Sequence, residues 1–213
     1  MMRKTAETED FVIYDDVLSE EQLNTVWNSI QQENFLMPHI NGWSKVWRIT
    51  DGTCIGSRDY DSSTGPFNNY MDLMQFFIEN TANMHQDILH KWDRIILRSY
   101  LYPRGTKLNW HNDLGYAGAA IFYAHPEWAS TWGGELMLAR TPPDCNLPPP
   151  HLDHREEDKF LATYGMGTYI TCRPNRLVLT RPGVWHSINR VDTDAGDHCR
   201  TTVIGFFKSP EVK

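Results

Sequence analysis

The chain has 213 residues, of which 40% are hydrophobic and 22% charged, which suits one well-buried core and excludes a disordered chain. A net charge of −7 supplies no basic face to meet phosphates and argues against a nucleic-acid partner. No apolar run approaches membrane-spanning length, and the start MMRKTAETED turns polar where a secretory signal would turn apolar, so a soluble cytoplasmic protein without a membrane partner is expected.

In chain order, "FVIYDDVLSEEQLNTVWNSI" reads as a short apolar strand followed by a helix. Ser19 and Gln22 fit a capping box, and Leu23, Val26, Trp27 and Ile30 recur on one helical face. The region 39–65 contains Trp43, Trp47, Arg48 and Arg58, which could grip an anionic or aromatic group or could cover an apolar underside. A second helix is predicted over roughly 66–91, with Pro66 in its first turn and Tyr70, Leu73, Met74, Phe77, Met84 and Ile88 in period.

From residue 93 the rhythm changes. "RIILRSYLY", "AAIFYA", "GELMLA", "TYITC", "RLVLT" and "TTVIGFF" are short, β-branched or aromatic, and separated by Gly, Pro, Asn and Asp. They predict a β-sandwich or jelly roll with the N-terminal helices packed outside one sheet. The Pro-rich, charged stretch 141–159 reads as a long loop and a candidate lid. Cys54, Cys145, Cys172 and Cys199 form no CxxC pair and read as free thiols.

"NWHNDLG" holds His111 and Asp113 two residues apart, either a solvated turn or part of a metal site. Alternation along an extended segment would put both side chains on one side. A 2-His-1-carboxylate site for non-haem Fe(II) needs a third ligand from elsewhere. His186 in "RPGVWHSINRV" is the best candidate, and Arg200 opens the apolar strand beyond it, where a lone arginine needs an anionic partner. "HLDH", with His151, Asp153 and His154, is a competing cluster that reads as solvated loop, since no flanking strand holds it rigid.

These segments together resemble the Fe(II)/2-oxoglutarate-dependent oxygenases, in particular the prolyl-4-hydroxylase-like branch. "YPRGTKLNWHND" is similar to the signature carrying the first two ligands, "WGGELML" to the Gly-Gly strand after them, and "PNRLVLTRPGVWHSINRV…HCRTTVIGFF" to the half with the distal histidine and co-substrate arginine. The resemblance covers roughly 93–208; Leu108 stands where many relatives carry Tyr, and the spacing from His186 to Arg200 is longer than usual by the loop "DTDAGD".

The resemblance implies a mainly β fold, a double-stranded β-helix (jelly roll, cupin-like), in a single domain 1–213 with a helical support region 1–92 and a core 93–208. It implies Fe(II) held by His111, Asp113 and His186, with 2-oxoglutarate and O2 as co-substrates and ascorbate as a candidate reductant. Arg200 would pair with the distal carboxylate of 2-oxoglutarate, Arg190 being the next choice. Tyr123 would aid that contact or be a core tyrosine, and Tyr102 would face the pocket or pack. Arg98 would touch substrate or form a structural salt bridge, with Trp43 and Arg58 as further substrate candidates. Trp110 and Trp185 read as packing on the opposite face, and Gly133, Gly134 and Gly183 as backbone devices.

The implied reaction is hydroxylation of an unactivated C–H bond in a small metabolite, an amino acid or a peptidyl residue, releasing succinate and CO2. A protein prolyl or other side-chain hydroxylase and a non-oxygenase cupin-like metal protein, with Glu135 as an extra ligand, are the alternatives.

Overall fold

The computed structural model describes residues 2–36, 54–142 and 154–210. Among them the elements run β1 (Arg3–Glu7), β2 (Phe11–Asp15), α1 (Glu20–Ile30), β3 (Ile55–Gly56), β4 (Tyr60–Asp61), α2 (Tyr70–Asn83), β5 (Arg94–Tyr102), β6 (Leu108–His111), β7 (Gly118–Tyr123), β8 (Leu136–Ala139), α3 (His154–Thr163), β9 (Gly167–Ile170), β10 (Leu177–Thr180), β11 (His186–Ile188) and β12 (Arg200–Lys208). The chain is mainly β, with two antiparallel sheets. The larger has the order β1-β2-β10-β7-β12-β5-β3, with β4 also pairing β5; the smaller is β6-β11-β8-β9. No described helix is long and apolar enough to cross a membrane.

The larger sheet is apolar on both faces, and strand parity separates the two sets. Val12, Ile95, Leu97, Phe122, Leu179, Val203 and Phe207 share a buried cluster with Val26 and Ile30 of α1 and Met71, Met74 and Ile78 of α2. The alternate residues Ile13, Tyr100, Tyr102, Ile121, Tyr123, Val178 and Ile204 meet Leu108, Leu136, Leu138, Ile170 and Ile188 of the smaller sheet. A third cluster, Trp110, Phe160 and Trp185, puts α3 against β6 and β11. The pocket opens in the second of these layers, between the sheets.

The predicted capping box is present. Ser19 Oγ accepts the Gln22 N–H at 3.2 Å and Gln22 Oε1 accepts the Ser19 N–H at 2.9 Å. The second helix is shorter than the expected 66–91. Asn69 caps it by accepting the Met71 N–H at 2.8 Å, and the Asp72 carboxylate accepts the N–H groups of Phe67 and Asn68, so the chain is still turning there. Beyond Asn83 the apolar period continues because Ile88 and Leu89, in a turn, pack on the same core as α2.

The segment expected as loop over 141–159 contains the start of α3. Among the described side chains of α3 only Phe160 is deeply buried, too little apolar repetition to announce a helix. Residues 1–92 are also more than helical support, since they contribute β1 to β4 to both edges of the larger sheet. β1, "RKTAE", is a mostly exposed edge strand with no apolar alternation to reveal it. Cys54, Cys172 and Cys199 are free thiols; Cys145, with Trp43, Trp47, Arg48, His151 and Asp153, lies outside the described residues.

Ile78 is fully buried in the layer that seats α2. Ile78→Ala is expected to cost about 2–5 kcal/mol in urea unfolding through lost transfer energy and the cavity left behind.

Candidate metal centre

β6 and β11 are antiparallel neighbours, and His111 and His186 stand directly opposite one another in their register. Their ring centroids are 4.2 Å apart. Each ring is anchored to its own chain two residues back. His111 Nδ1–H donates to the Asn109 carbonyl at 2.7 Å, and His186 Nδ1–H donates to the Val184 carbonyl at 2.8 Å. A carbonyl can only accept, so both neutral rings carry the proton on Nδ1 and keep a lone pair on Nε2.

Those two Nε2 atoms face one carboxylate. His111 Nε2 lies 3.7 Å from Asp113 Oδ1 and His186 Nε2 lies 3.4 Å from Asp113 Oδ2. One ligand atom from each of the three lies within 4.8 Å of the others. Two imidazole nitrogens and an anionic carboxylate aimed at a common point favour a positive charge among them, a proton shared with Asp113 or a metal ion, and this donor set fits a divalent ion. Burial works against a charged His186, but the Asp113 carboxylate outweighs it and its pKa is raised above the usual value.

The geometric reason for the His-x-Asp spacing differs from simple alternation. β6 ends at His111, and Asp113 has φ 41°, in the left-handed region that aspartate tolerates better than most side chains. A turn, and not a continuing strand, brings the carboxylate back to the rings.

The same pocket is lined by Tyr100, Tyr102, Ile121, Ile204, Phe206 and Arg200 beside His111, Asp113 and His186. Arg200, the first residue of β12, is 0% exposed. Its Nε–H donates to the Gly134 carbonyl at 2.7 Å, and its guanidinium carbon lies 5.1 and 5.0 Å from the ring centres of Tyr102 and Tyr123. Both terminal nitrogens, and the Tyr123 hydroxyl, are buried without a hydrogen-bond partner among the described residues. A guanidinium so placed awaits an anion, and its two terminal N–H edges match a carboxylate. Gly134 has φ 76°, and a Cβ there would lie 2.9 Å from Arg200 Cδ, so Gly134 serves close approach to this side chain, while Gly133, at φ 69°, admits the Arg190 backbone.

The other predicted residues fall elsewhere. Arg190 is exposed and donates to the Gly105 carbonyl at 2.8 Å, away from the pocket lining. Arg98 is held by Asp59 at 2.6 Å and donates to the Tyr100 hydroxyl at 3.1 Å, so it reaches the pocket only through Tyr100. Arg58 is exposed, its guanidinium 4.8 Å from the Tyr60 ring centre, and does not line the pocket. Trp43 lies outside the described residues. Glu135 accepts from Asn189 at 2.9 Å and is not in the ligand cluster. Trp110 and Trp185 pack against Phe160. Tyr100 and Phe206 are lining residues the sequence reading did not single out, although Phe206 shares strand parity with Arg200.

No protein-family model and no curated protein matches the sequence. Solved structures do match. A prolyl-4-hydroxylase from Pseudomonas putida superposes with a TM-score of 0.61 at 13% identity, over 95% of this chain and 94% of that one. HygX from Streptomyces hygroscopicus, with nickel, 2-oxoglutarate and hygromycin B bound, gives 0.63 at 12% identity, over 94% of this chain and 83% of that one. A prolyl hydroxylase from Trichoplax adhaerens, in complex with a peptide fragment of a hypoxia inducible factor, gives 0.59 at 12% identity, over 95% and 84%. The likeness to Fe(II)/2-oxoglutarate oxygenases, and to their prolyl-4-hydroxylase-like branch, is therefore one of fold as well as of motif.

Phe160 is 4% exposed and packs on the tryptophans that precede His111 and His186. Phe160→Ala is expected to lower stability by about 3–5 kcal/mol in urea unfolding. It should also weaken Mn(II) binding about tenfold in equilibrium dialysis, as losing outer support of metal ligands does.

Proposed function

We propose that the protein is an Fe(II)- and 2-oxoglutarate-dependent dioxygenase that hydroxylates an unactivated C–H bond of a small metabolite, an amino acid or a peptidyl residue. The observation that carries this reading is the pairing, in one pocket, of the His111/Asp113/His186 donor set with a buried arginine whose terminal nitrogens lack partners among the described residues. A metal site alone fits many proteins; the added anion site calls for a ligand that reaches both. In this reading the two sheets are the double-stranded β-helix of the oxygenase fold, in one domain spanning 1–213.

Bound iron and 2-oxoglutarate would supply the oxidation, in which one oxygen atom of O2 enters succinate, the other enters the product hydroxyl, and the keto acid loses CO2. The residues of the chain bind and orient. His111 and His186 offer Nε2 because Nδ1 is committed to backbone carbonyls. Asp113 would offer the carboxylate that completes the donor set. Arg200 takes the distal carboxylate of 2-oxoglutarate through two parallel N–H bonds. The Tyr123 hydroxyl adds a donor to the same carboxylate, and burial keeps it protonated by raising its pKa. Tyr102 stacks on the guanidinium and walls the pocket. Ile121, Ile204 and Leu136 line the remaining wall and exclude water.

Hygromycin B in HygX and a peptide in the Trichoplax adhaerens enzyme bracket the substrate classes, small molecule and peptidyl side chain, that this fold accepts. Protein prolyl hydroxylation is the narrower form of the proposal. A cupin-like metal protein without oxygenase chemistry would leave unaccounted for the two terminal Arg200 nitrogens that lack partners among the described residues.

The test is succinate formation from 2-oxoglutarate under O2 with added Fe(II), screened against amino acids and peptides. Turnover that rises with one substrate class supports the reading; none in any condition contradicts it. His111→Ala, Asp113→Ala and His186→Ala are each expected to abolish metal retention and succinate formation. Arg200→Ala should keep the metal and raise the 2-oxoglutarate requirement by about two to three and a half powers of ten, since losing one partner of a buried charge pair costs about 3–5 kcal/mol.

A further inference from the structure

Arg200 is held through a closed ring of contacts. The Gly134 carbonyl that accepts its Nε–H also accepts the Cys172 thiol at 2.8 Å. The Cys172 carbonyl accepts Nε2–H of His125 at 2.8 Å, and His125 Nδ1 accepts the Thr201 N–H at 3.2 Å. Thr201 follows Arg200 in the chain, which closes the circuit. The ring also ties the sheets together: His125 follows β7 and Thr201 lies in β12, while Gly134 precedes β8 and Cys172 follows β9.

His125 has no spare capacity. It is 2% exposed, and both nitrogens are committed, Nε2 as donor to a carbonyl and Nδ1 as acceptor from an N–H. Burial, with Arg200 adding to it, draws its pKa down to about 4, so the ring stays neutral and the arrangement stays intact. It touches none of the proposed metal ligands in any contact described above. Its neighbours in the ring all lead to one guanidinium.

A bidentate grip on a carboxylate depends on the plane of the guanidinium as well as its position. The two tyrosine rings beside Arg200 are flat surfaces along which it could slide or turn. The Nε–H bond to Gly134 is the directional contact that fixes the plane, and the direction of that carbonyl is set by the ring.

We propose that His125 is a positioning residue for the co-substrate arginine: acting through Cys172 and Gly134, it sets the plane of Arg200 so that both terminal nitrogens face one carboxylate. This rests on the reading of Arg200 as the 2-oxoglutarate anchor.

The experiment is anaerobic calorimetric titration of the Mn(II)-loaded full chain with 2-oxoglutarate and, separately, with oxalate, which can chelate the metal but has no distal carboxylate. His125→Ala is expected to weaken 2-oxoglutarate about tenfold, the lower end of what losing an outer partner of a binding group costs. Oxalate and Mn(II) affinity should stay within about twofold, and His125→Gln, which restores a donor toward Cys172, should recover most of the loss. Arg200→Ala, run alongside, is expected to lose more 2-oxoglutarate affinity and to leave oxalate unchanged. Equal losses for both ligands in His125→Ala, or no loss where Arg200→Ala loses much, overturn the positioning role and leave the anchor standing. If Arg200→Ala binds 2-oxoglutarate as well as the unaltered protein, both proposals fall. Should His125→Ala not fold, Cys172→Ala and Cys172→Ser carry the test: alanine is expected to weaken 2-oxoglutarate selectively and serine to restore it, and equal affinities for the two overturn the proposal.

Discussion

The direct opposition of His111 and His186 in the β6–β11 ladder is the constraint on which the site depends. Each imidazole is fixed by a hydrogen bond to a carbonyl of its own strand or its approach, two residues back. The backbone therefore chooses the tautomer, and the ladder chooses the distance. A slip of either strand by one residue would send its ring to the other face, where Trp110 and Trp185 now pack on Phe160, and leave the opposite ring without its neighbour. Site and fold are thus held by the same strand pair.

Around that pair the protein accepts unfavourable electrostatics. Two lone pairs converge on a carboxylate, and a guanidinium lies fully buried with two nitrogens lacking partners among the described residues. Each arrangement costs free energy in the isolated chain. A divalent cation would offset the first and an anion the second, so in the proposed reading one keto acid bound to the metal would relieve both. The apolar wall from β7 and β12 strengthens these interactions by keeping water away. The core on the other face of the larger sheet, shared with α1 and α2, supplies stability without entering the pocket.

Much of this was legible in the sequence because it rests on local patterns. Six of the eight described strands from Arg94 onward announce themselves by β-branched and aromatic runs, β5 with its observed ends, Arg94 and Tyr102, whereas the short β6 (LNWH) and β11 (HSI) carry no such run. The capping box at Ser19 is a local rule. His111, Asp113, His186 and Arg200 were picked out by motif order, and the structure brings all four to one pocket. What was hidden depends on tertiary context. β1 is polar because it is an edge, and among the described side chains of α3 only Phe160 is a deeply buried anchor. Asp113 reaches the rings by a left-handed turn that alternation does not foresee. The His125–Cys172–Gly134 circuit joins residues 47 and 38 positions apart, a separation no spacing rule reads.

The central claim is that three side chains and a guanidinium serve one metal-bound keto acid. A crystal structure of the protein loaded anaerobically with Mn(II) and 2-oxoglutarate, with the metal located by anomalous scattering, tests it most directly. One ion should be found bound to Nε2 of His111, Nε2 of His186 and the Asp113 carboxylate, with the far carboxylate of the keto acid on the terminal nitrogens of Arg200. An ion bound elsewhere, or a keto acid whose far end turns away from Arg200, would contradict the account.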